Sequence, residues 1–510
     1  MQFGKSVVAN YLGRAWISFL GFVFLPYYVS VLGPEAFGLV GIFALLQSWT
    51  ALLDVGMTPT LTRATSRLRS GQSSIEETRN LLRSFETVVF FLCCTVSIAI
   101  YAGADWLGNN WLRSETLSVS VIAQSIAIMG FLVSVQFAHG IYQGCYFGLQ
   151  RQIEFNLLTA IMSTLRHVGA FFVLAFLSQS IVSFFLWQVF VSVLSLCLTG
   201  GILYALLPSS STRGKFSFHA IQGVWRFAAS ISAIGFLAIL LTQADKIILS
   251  KMLPLKDFGY YSLSASLAGA LLMIAVPLSQ AVLPRLIELV SKGDTLGFVK
   301  VYHQGAQLMS ALMAPWALLI VLYAAEIVFL WSGDLGLAGN TRYLIQALVL
   351  GTFLNCLMWI PYQGMVANDW TSLSLVANVV AVILLFPSII VVTLYFGAIG
   401  AAWIWVTLNV GYLTVTIHFL HKRILIEEKF RWYINDVLKQ VAISLAVAVI
   451  AYPAIQVVQN SRLGLAIVLG VTGCLSTLAA ILFSADLRDP VRNFAKSFGF
   501  GTIQAPSENR

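Results

Sequence analysis

The sequence predicts an all-α, polytopic membrane protein with 14 transmembrane helices, arranged as two six-helix lobes followed by two further helices. Three observations lead there. Only 10% of the 510 residues are charged and 58% are hydrophobic, against about 25% charged in a soluble globular protein. Fourteen stretches are each long and apolar enough to cross a hydrocarbon core, which takes about 20 residues. The basic residues between those stretches fall on alternate connectors. Disorder is excluded because it needs low hydrophobicity. No stretch alternates with period two, so an outer-membrane barrel is excluded as well.

The stretches centre near Phe19, Leu46, Cys94, Ile128, Gly169, Val193, Ile239, Gly269, Leu318, Gly351, Leu384, Val410, Ala446 and Gly470. The first runs from Val7 to Leu32 and carries Arg14. It is too long for a cleavable signal peptide and reads as a spanning helix. Of the basic residues in connectors, 20 lie on one side, five of them arginines between Leu61 and Arg83; four, Arg113, Lys251, Lys256 and Arg462, lie on the other. The positive-inside rule then places both termini in the cytoplasm. No connector is long enough to be a domain, and the longest outward one lies near Asp105–Thr116. The net charge of +9 is spread through these connectors, unlike the single basic face of a nucleic-acid binder. All six cysteines sit inside apolar stretches, with no metal-ligand spacing. Trp106, Trp111, Trp331 and Trp370 near span ends read as interfacial anchors.

The chain repeats itself. Tyr142-Gln143-Gly144 recurs as Tyr362-Gln363-Gly364, and Leu32 with Phe37-Gly38 recurs as Leu253 with Phe258-Gly259. Arg63 recurs as Arg285. Each offset equals six helices, an even number, so the halves are related by an axis along the membrane normal. The expected boundaries are an N-terminal lobe at 1–208, a second lobe at 209–425, helices 13 and 14 at 426–484 and a cytoplasmic tail at 485–510.

Val31–Arg63 resembles the opening of the polysaccharide-biosynthesis flippases, and so do Gln243–Arg285 and Tyr362–Val380 with the following Phe396–Trp403. These are the O-antigen and exopolysaccharide flippases of the multidrug/oligosaccharidyl-lipid/polysaccharide exporter superfamily. The resemblance covers nearly the whole chain. It implies a two-lobed helical fold with a central cavity. It also implies movement of a polyprenyl-diphosphate-linked oligosaccharide from the inner to the outer leaflet, within membrane lipid and beside polymerase and chain-length proteins of the same pathway.

Charges inside spans cost about 2.5–3.5 kcal/mol each on insertion scales and face a cavity or a partner. Arg166, Arg14 and Lys246 are the cationic ones, and facing one cavity they would attract a diphosphate. Snorkelling of Arg14 and Lys246 and a carboxylate partner for Arg166 are the plainer alternatives. Gln143, Gln363, Asn378 and Asn409 are candidates for sugar hydroxyls, with interhelical hydrogen bonding the plainer role for each. Asp54 and Arg63 are gate candidates on the family resemblance, with an interfacial pair at the helix end the plainer reading. Asp245 is a gate candidate or a neutralising neighbour of Lys246, and Glu326, near an outer helix end, is a candidate proton carrier or simply an exposed carboxylate. Glu86 and Arg226 read as interfacial, and His139 and His418 as hydrogen-bonded polar residues. Gly140, Gly144 and Gly148 form a small-residue face for helix packing. Pro26, Pro277, Pro315, Pro361 and Pro387 mark helix kinks.

There is no GxGxxG, GxxxxGK[ST], HExxH or GxSxG, so the expected function is a secondary transporter rather than an enzyme, without a cofactor, and with coupling to a proton or sodium left open. The rival functions are a drug/cation antiporter, a lipid II flippase, and, from another class, a membrane glycan polymerase or O-acyltransferase. A cation antiporter should favour acidic cavity residues, and a polymerase a large basic outward loop.

Overall fold

A computed structural model describes residues 2–54, 56–208, 214–217, 225–484 and 486–487. Among them the fold is all-helical, with a single isolated bridge between Arg113 and Pro254. Helices begin where the sequence supplies a cap. Ser74 Oγ accepts from the Glu77 amide at 3.1 Å, and Glu77 returns a carboxylate to the Ser74 amide, a reciprocal capping box. Ser118, Ser180, Asp294, Asp334 and Ser461 cap five further helices in the same way.

The chain forms two compact units. The first comprises Met1–Ser266 with Ala381–Ala401. Its helices are α1 (Gln2–Leu53), α2 (Met57–Arg69), α3 (Ile75–Trp106), α4 (Val119–Gly148), α5 (Gln152–Phe172), α6 (Ile181–Leu206), α7 (Trp225–Met252) and most of α8 (Leu255–Gly269). The second comprises Leu267–Val380 with Ala402–Arg510. It holds α9 (Leu272–Ser291), α10 (Thr295–Leu322), α11 (Ala324–Ser332), α12 (Leu335–Leu357), α13 (Trp359–Ala367) and the two ends of α14 (Ser372–Gly411). It ends with α15 (Ile417–Arg423), a π-helical stretch Trp432–Leu438 leading into α16 (Lys439–Ile450), α17 (Tyr452–Val458) and α18 (Arg462–Leu482).

Eleven spans among the described residues are long and apolar enough to cross a membrane. The expected fourteen differ from them for a definite reason. Two predicted pairs run together as single long helices, α1 and α14, broken at Gly33 (φ 81°, ψ 163°) and Gly397 (φ 60°, ψ −148°). Both breaks use a left-handed backbone open to glycine. The stretch near Ile239 lies on α7, outside the eleven. Many spans carry exposed Phe, Leu and Ile, such as Phe90, Phe91, Ile98, Phe176 and Leu177, as a lipid-facing surface requires.

The predicted parity of the connectors is visible within each unit. In the first, Arg79 donates to the Pro208 carbonyl and Ser66 to the Gly148 carbonyl, which brings three even-side connectors together. On the other side, the Leu255 amide donates to the Arg113 carbonyl at 2.7 Å, Trp111 Nε1 to Ser250 Oγ at 3.0 Å, and Lys251 to the Asn110 carbonyl. Glu35, at the start of the second half of α1, accepts from the hydroxyls of Ser114 and Thr116 and from the amides of residues 115–117. In the second unit Arg462 donates to the Leu330 carbonyl.

The repeated Phe-Gly motifs meet in this odd-side cluster. A Cβ on Gly38 would overlap the Leu255 carbonyl, and one on Gly259 the Pro34 carbonyl. Close backbone approach therefore requires glycine at both places. This packing draws α8 into the first unit. The small-residue face of α4 is narrower than expected. Gly144 and Gly148 lie against Thr58 and Thr62 of α2, whereas a Cβ on Gly140 would meet nothing within 4 Å.

Candidate functional site

Five helical segments of the first unit enclose a polar cavity of about 250 Å³. Its walls carry Arg166 and His167 from α5, Gln136 and His139 from α4, and Gln47 from the second half of α1. Thr159 and Ser163 of α5 with Ser192 and Ser195 of α6 complete the polar lining, and no acidic residue takes part.

The polar residues reach the cavity because each occupies the inward stripe of an apolar helix. Gln136 and His139 are three apart on α4, hence on one face. Trp187 Nε1 on α6 donates to the Arg166 carbonyl at 3.2 Å and fixes the turn of α5 that carries the guanidinium. Gln47 Nε2 donates to Gln136 Oε1 at 2.8 Å. His139 Nε2 lies 3.1 Å from Thr199 Oγ1, and His167 Nδ1 lies 3.2 Å from the Tyr28 hydroxyl.

Arg166 Nη2 donates to Ser192 Oγ at 3.1 Å. Its Nε and the Nε2 of Gln136 are buried and have no hydrogen-bond partner. Among the described residues no carboxylate pairs with Arg166, so the expected alternative of an ion pair does not hold. A buried guanidinium without a counter-charge is costly. Together these groups can receive an anion: a fixed positive charge, unspent donors and two imidazoles.

The other predicted residues fall elsewhere. The side chains of Arg14 and Arg226 lie outside the described residues. Lys246 does not line the cavity; its Nζ donates to Gln243 Oε1 at 3.0 Å. Asp245 does not neutralise Lys246, since its Oδ2 accepts from the Tyr261 hydroxyl at 2.6 Å. Asp54 makes no salt bridge with Arg63 among the described residues. It caps α2 by accepting from the Thr58 amide and hydroxyl, and Arg63 is exposed. Glu326 lies in the first turn of α11, where a carboxylate complements the helix dipole. Glu86, read as interfacial, is largely covered and accepts from Tyr142, Tyr204 and Arg83.

Gln143 follows His139 on the same face of α4 but does not line the cavity. In the second unit Gln363 is buried with Oε1 unpartnered. Asn378 lies in a separate cavity of about 260 Å³ with Asn355 and Tyr362, and accepts from the Tyr412 hydroxyl at 3.0 Å. Asn355 Nδ2 donates to Asn409 Oδ1 at 2.9 Å, the interhelical role expected of Asn409. Sequence reasoning missed Gln47 and Gln136, whose spacing to Arg166 only the fold reveals.

Residues 3–290 match the model of a family described as polysaccharide biosynthesis protein, more than half of the chain. The chain belongs to that family. A provisionally named O-antigen transporter of Shigella flexneri is 20% identical over 79% of this chain and 94% of its own length. Among solved structures, the lipid II flippase MurJ in an inward closed conformation superposes with a TM-score of 0.67. It is 14% identical, over 96% of this chain and 100% of that one. An inward-facing multidrug resistance MATE family transporter of the MOP superfamily gives 0.63 at 14% identity, over 80% and 94%. The family member described here therefore shares the fold of polytopic transporters, and the relatives named are transporters and flippases, none an enzyme.

Proposed function

We propose that this chain is a flippase. It carries a polyprenyl-diphosphate-linked oligosaccharide, an O-antigen or exopolysaccharide repeat unit, from the inner to the outer leaflet of the bacterial cytoplasmic membrane by alternating access. One observation supports this above the rest: Arg166 is buried in a polar cavity with unspent donors and no acidic lining residue. The cavity volume equals about eight waters at ~30 Å³ each. That suits a phosphate-sized headgroup and is too small for an oligosaccharide, so the glycan and the polyprenyl tail lie outside it. A cation antiporter would need a carboxylate where this cavity has the Arg166 guanidinium.

Outward movement of a negative headgroup across an inside-negative membrane gains about 2.3 kcal/mol per charge per 100 mV. Coupling to a proton or a sodium ion adds to that driving force. Polymerase and chain-length proteins receive the unit on the far side.

The test is replacement of Arg166. At matched protein level, Arg166→Ala should reduce surface glycan at least ~10-fold, about 1.4 kcal/mol of lost headgroup binding. Arg166→Lys, which keeps the charge without the fork, should retain part of it. Full export by Arg166→Ala would remove this cavity from the mechanism.

A further inference from the structure

His303 on α10 is fully buried in the second unit, and both its ring nitrogens face carboxylates. Nδ1 lies against Oδ2 of Asp436, itself fully buried. Nε2 lies 3.1 Å from Oε2 of Glu428. A neutral imidazole has one N–H, so one of its nitrogens would turn a lone pair towards a carboxylate. The arrangement is satisfied only if it holds one proton more than a neutral ring and two carboxylates.

The surrounding charges point the same way. Gln307, one turn along α10, donates to Asp436 at 2.9 Å and to Asp486 at 2.8 Å. Arg431 reaches Glu428 at 3.4 Å and Asp486 at 3.3 Å. Three carboxylates therefore face one guanidinium. Such an imbalance is expensive in a buried site, and an added proton relieves part of it. The remaining titratable groups near His303 are Tyr302, Tyr433, His421 and Lys429. His421 Nδ1 bonds to the Ile417 carbonyl and Lys429 lies against His418, so neither supplies the missing charge directly.

The network also ties elements together. It joins α10 to the stretch leading into α16 and to the segment after α18. Glu428, Arg431 and Asp486 keep 25%, 38% and 23% of their side-chain surface, which gives a proton a way in. We propose that His303, Asp436 and Glu428 form a proton-binding site whose occupancy controls the docking of α16 and α18 on α10. The bound proton completes the hydrogen bonds to both carboxylates. Its loss leaves a lone pair facing a carboxylate and loosens the attachment.

The proposal does not depend on the nature of the transported glycan, and its test uses no glycan. The full chain, labelled with ¹⁵N-histidine in nanodiscs, is titrated from pH 5 to 9, the His303 signal being identified by its loss in His303→Gln. The ring should carry both protons at the acid end of the range and lose one within it, and Asp436→Asn should move that midpoint by about 1–3 pH units. Glu428→Gln, at the partly exposed edge, should give a smaller shift and serves as the milder variant if Asp436→Asn does not fold. The protection factors of amides 432–450, which divide out the intrinsic base catalysis of exchange, should fall as the ring deprotonates and stay level across the range in His303→Gln. A His303 ring singly protonated across the whole range overturns the site, and protection factors level with pH in the native chain overturn the latch. Either result leaves the Arg166 experiment untouched.

Discussion

Arg166 shows how much of a site one residue can disclose. A guanidinium in mid-span must have either a counter-ion or a ligand, so its position alone marked it. The neutral groups around it carried no such mark. Gln47 and Gln136 look like any amide in a membrane helix, and only the crossing of α1 and α4 makes them neighbours. His303 was illegible for a related reason. Its carboxylate partners lie more than a hundred residues away, although the polar pair His303 and Gln307, four apart on an apolar helix, was an available sign. Glu35 gives a prediction at this scale. It collects the amides and hydroxyls of residues 114–117 around one carboxylate. Charge-assisted hydrogen bonds are worth about 1.5–3 kcal/mol each in place. Glu35→Ala should therefore lower the melting temperature of the purified protein by several degrees, and Glu35→Gln by less, measured by thermal unfolding in detergent.

At the scale of the element, helix starts rest on caps, a local device, as the Ser74–Glu77 box shows. The breaks at Gly33 and Gly397 were legible only as glycines within apolar runs, since a glycine by itself does not say whether the backbone turns left-handed there. The packing face of α4 divides in the same way. Gly140, Gly144 and Gly148 share a spacing, but only the latter two meet another helix. Gly144→Val should drive its side chain into the Thr58 carbonyl and reduce accumulation of the protein in the membrane. Gly140→Val has open space and should accumulate like the native chain. Quantitative blotting of membrane fractions, with both variants expressed in parallel, distinguishes them.

At the scale of the molecule, the charge asymmetry of the connectors predicted their parity, and the contacts within each unit obey it. Arg113 meets the connector holding Lys251 and Lys256, while the arginine-rich segment before α3 meets the segments after α4 and α6. The absolute orientation rests on the positive-inside rule. A fluorescent protein fused after Arg510 should therefore glow in intact cells, and alkaline phosphatase at the same place should be inactive. The reverse pattern would invert the direction of every proposed step. By contact the first unit runs to Ser266 and takes in Ala381–Ala401, since helices grouped by chain order need not be grouped by contact.

The meeting of the duplicated motifs is reciprocal. Gly38 rests on Leu255 and Gly259 on Pro34; at an offset of 221 these are the same contact made twice, with the two copies exchanged. Such reciprocity is what an isologous dimer displays. Enlarging either glycine would drive a side chain into the backbone of the opposite copy, so the two halves of this patch constrain each other equally.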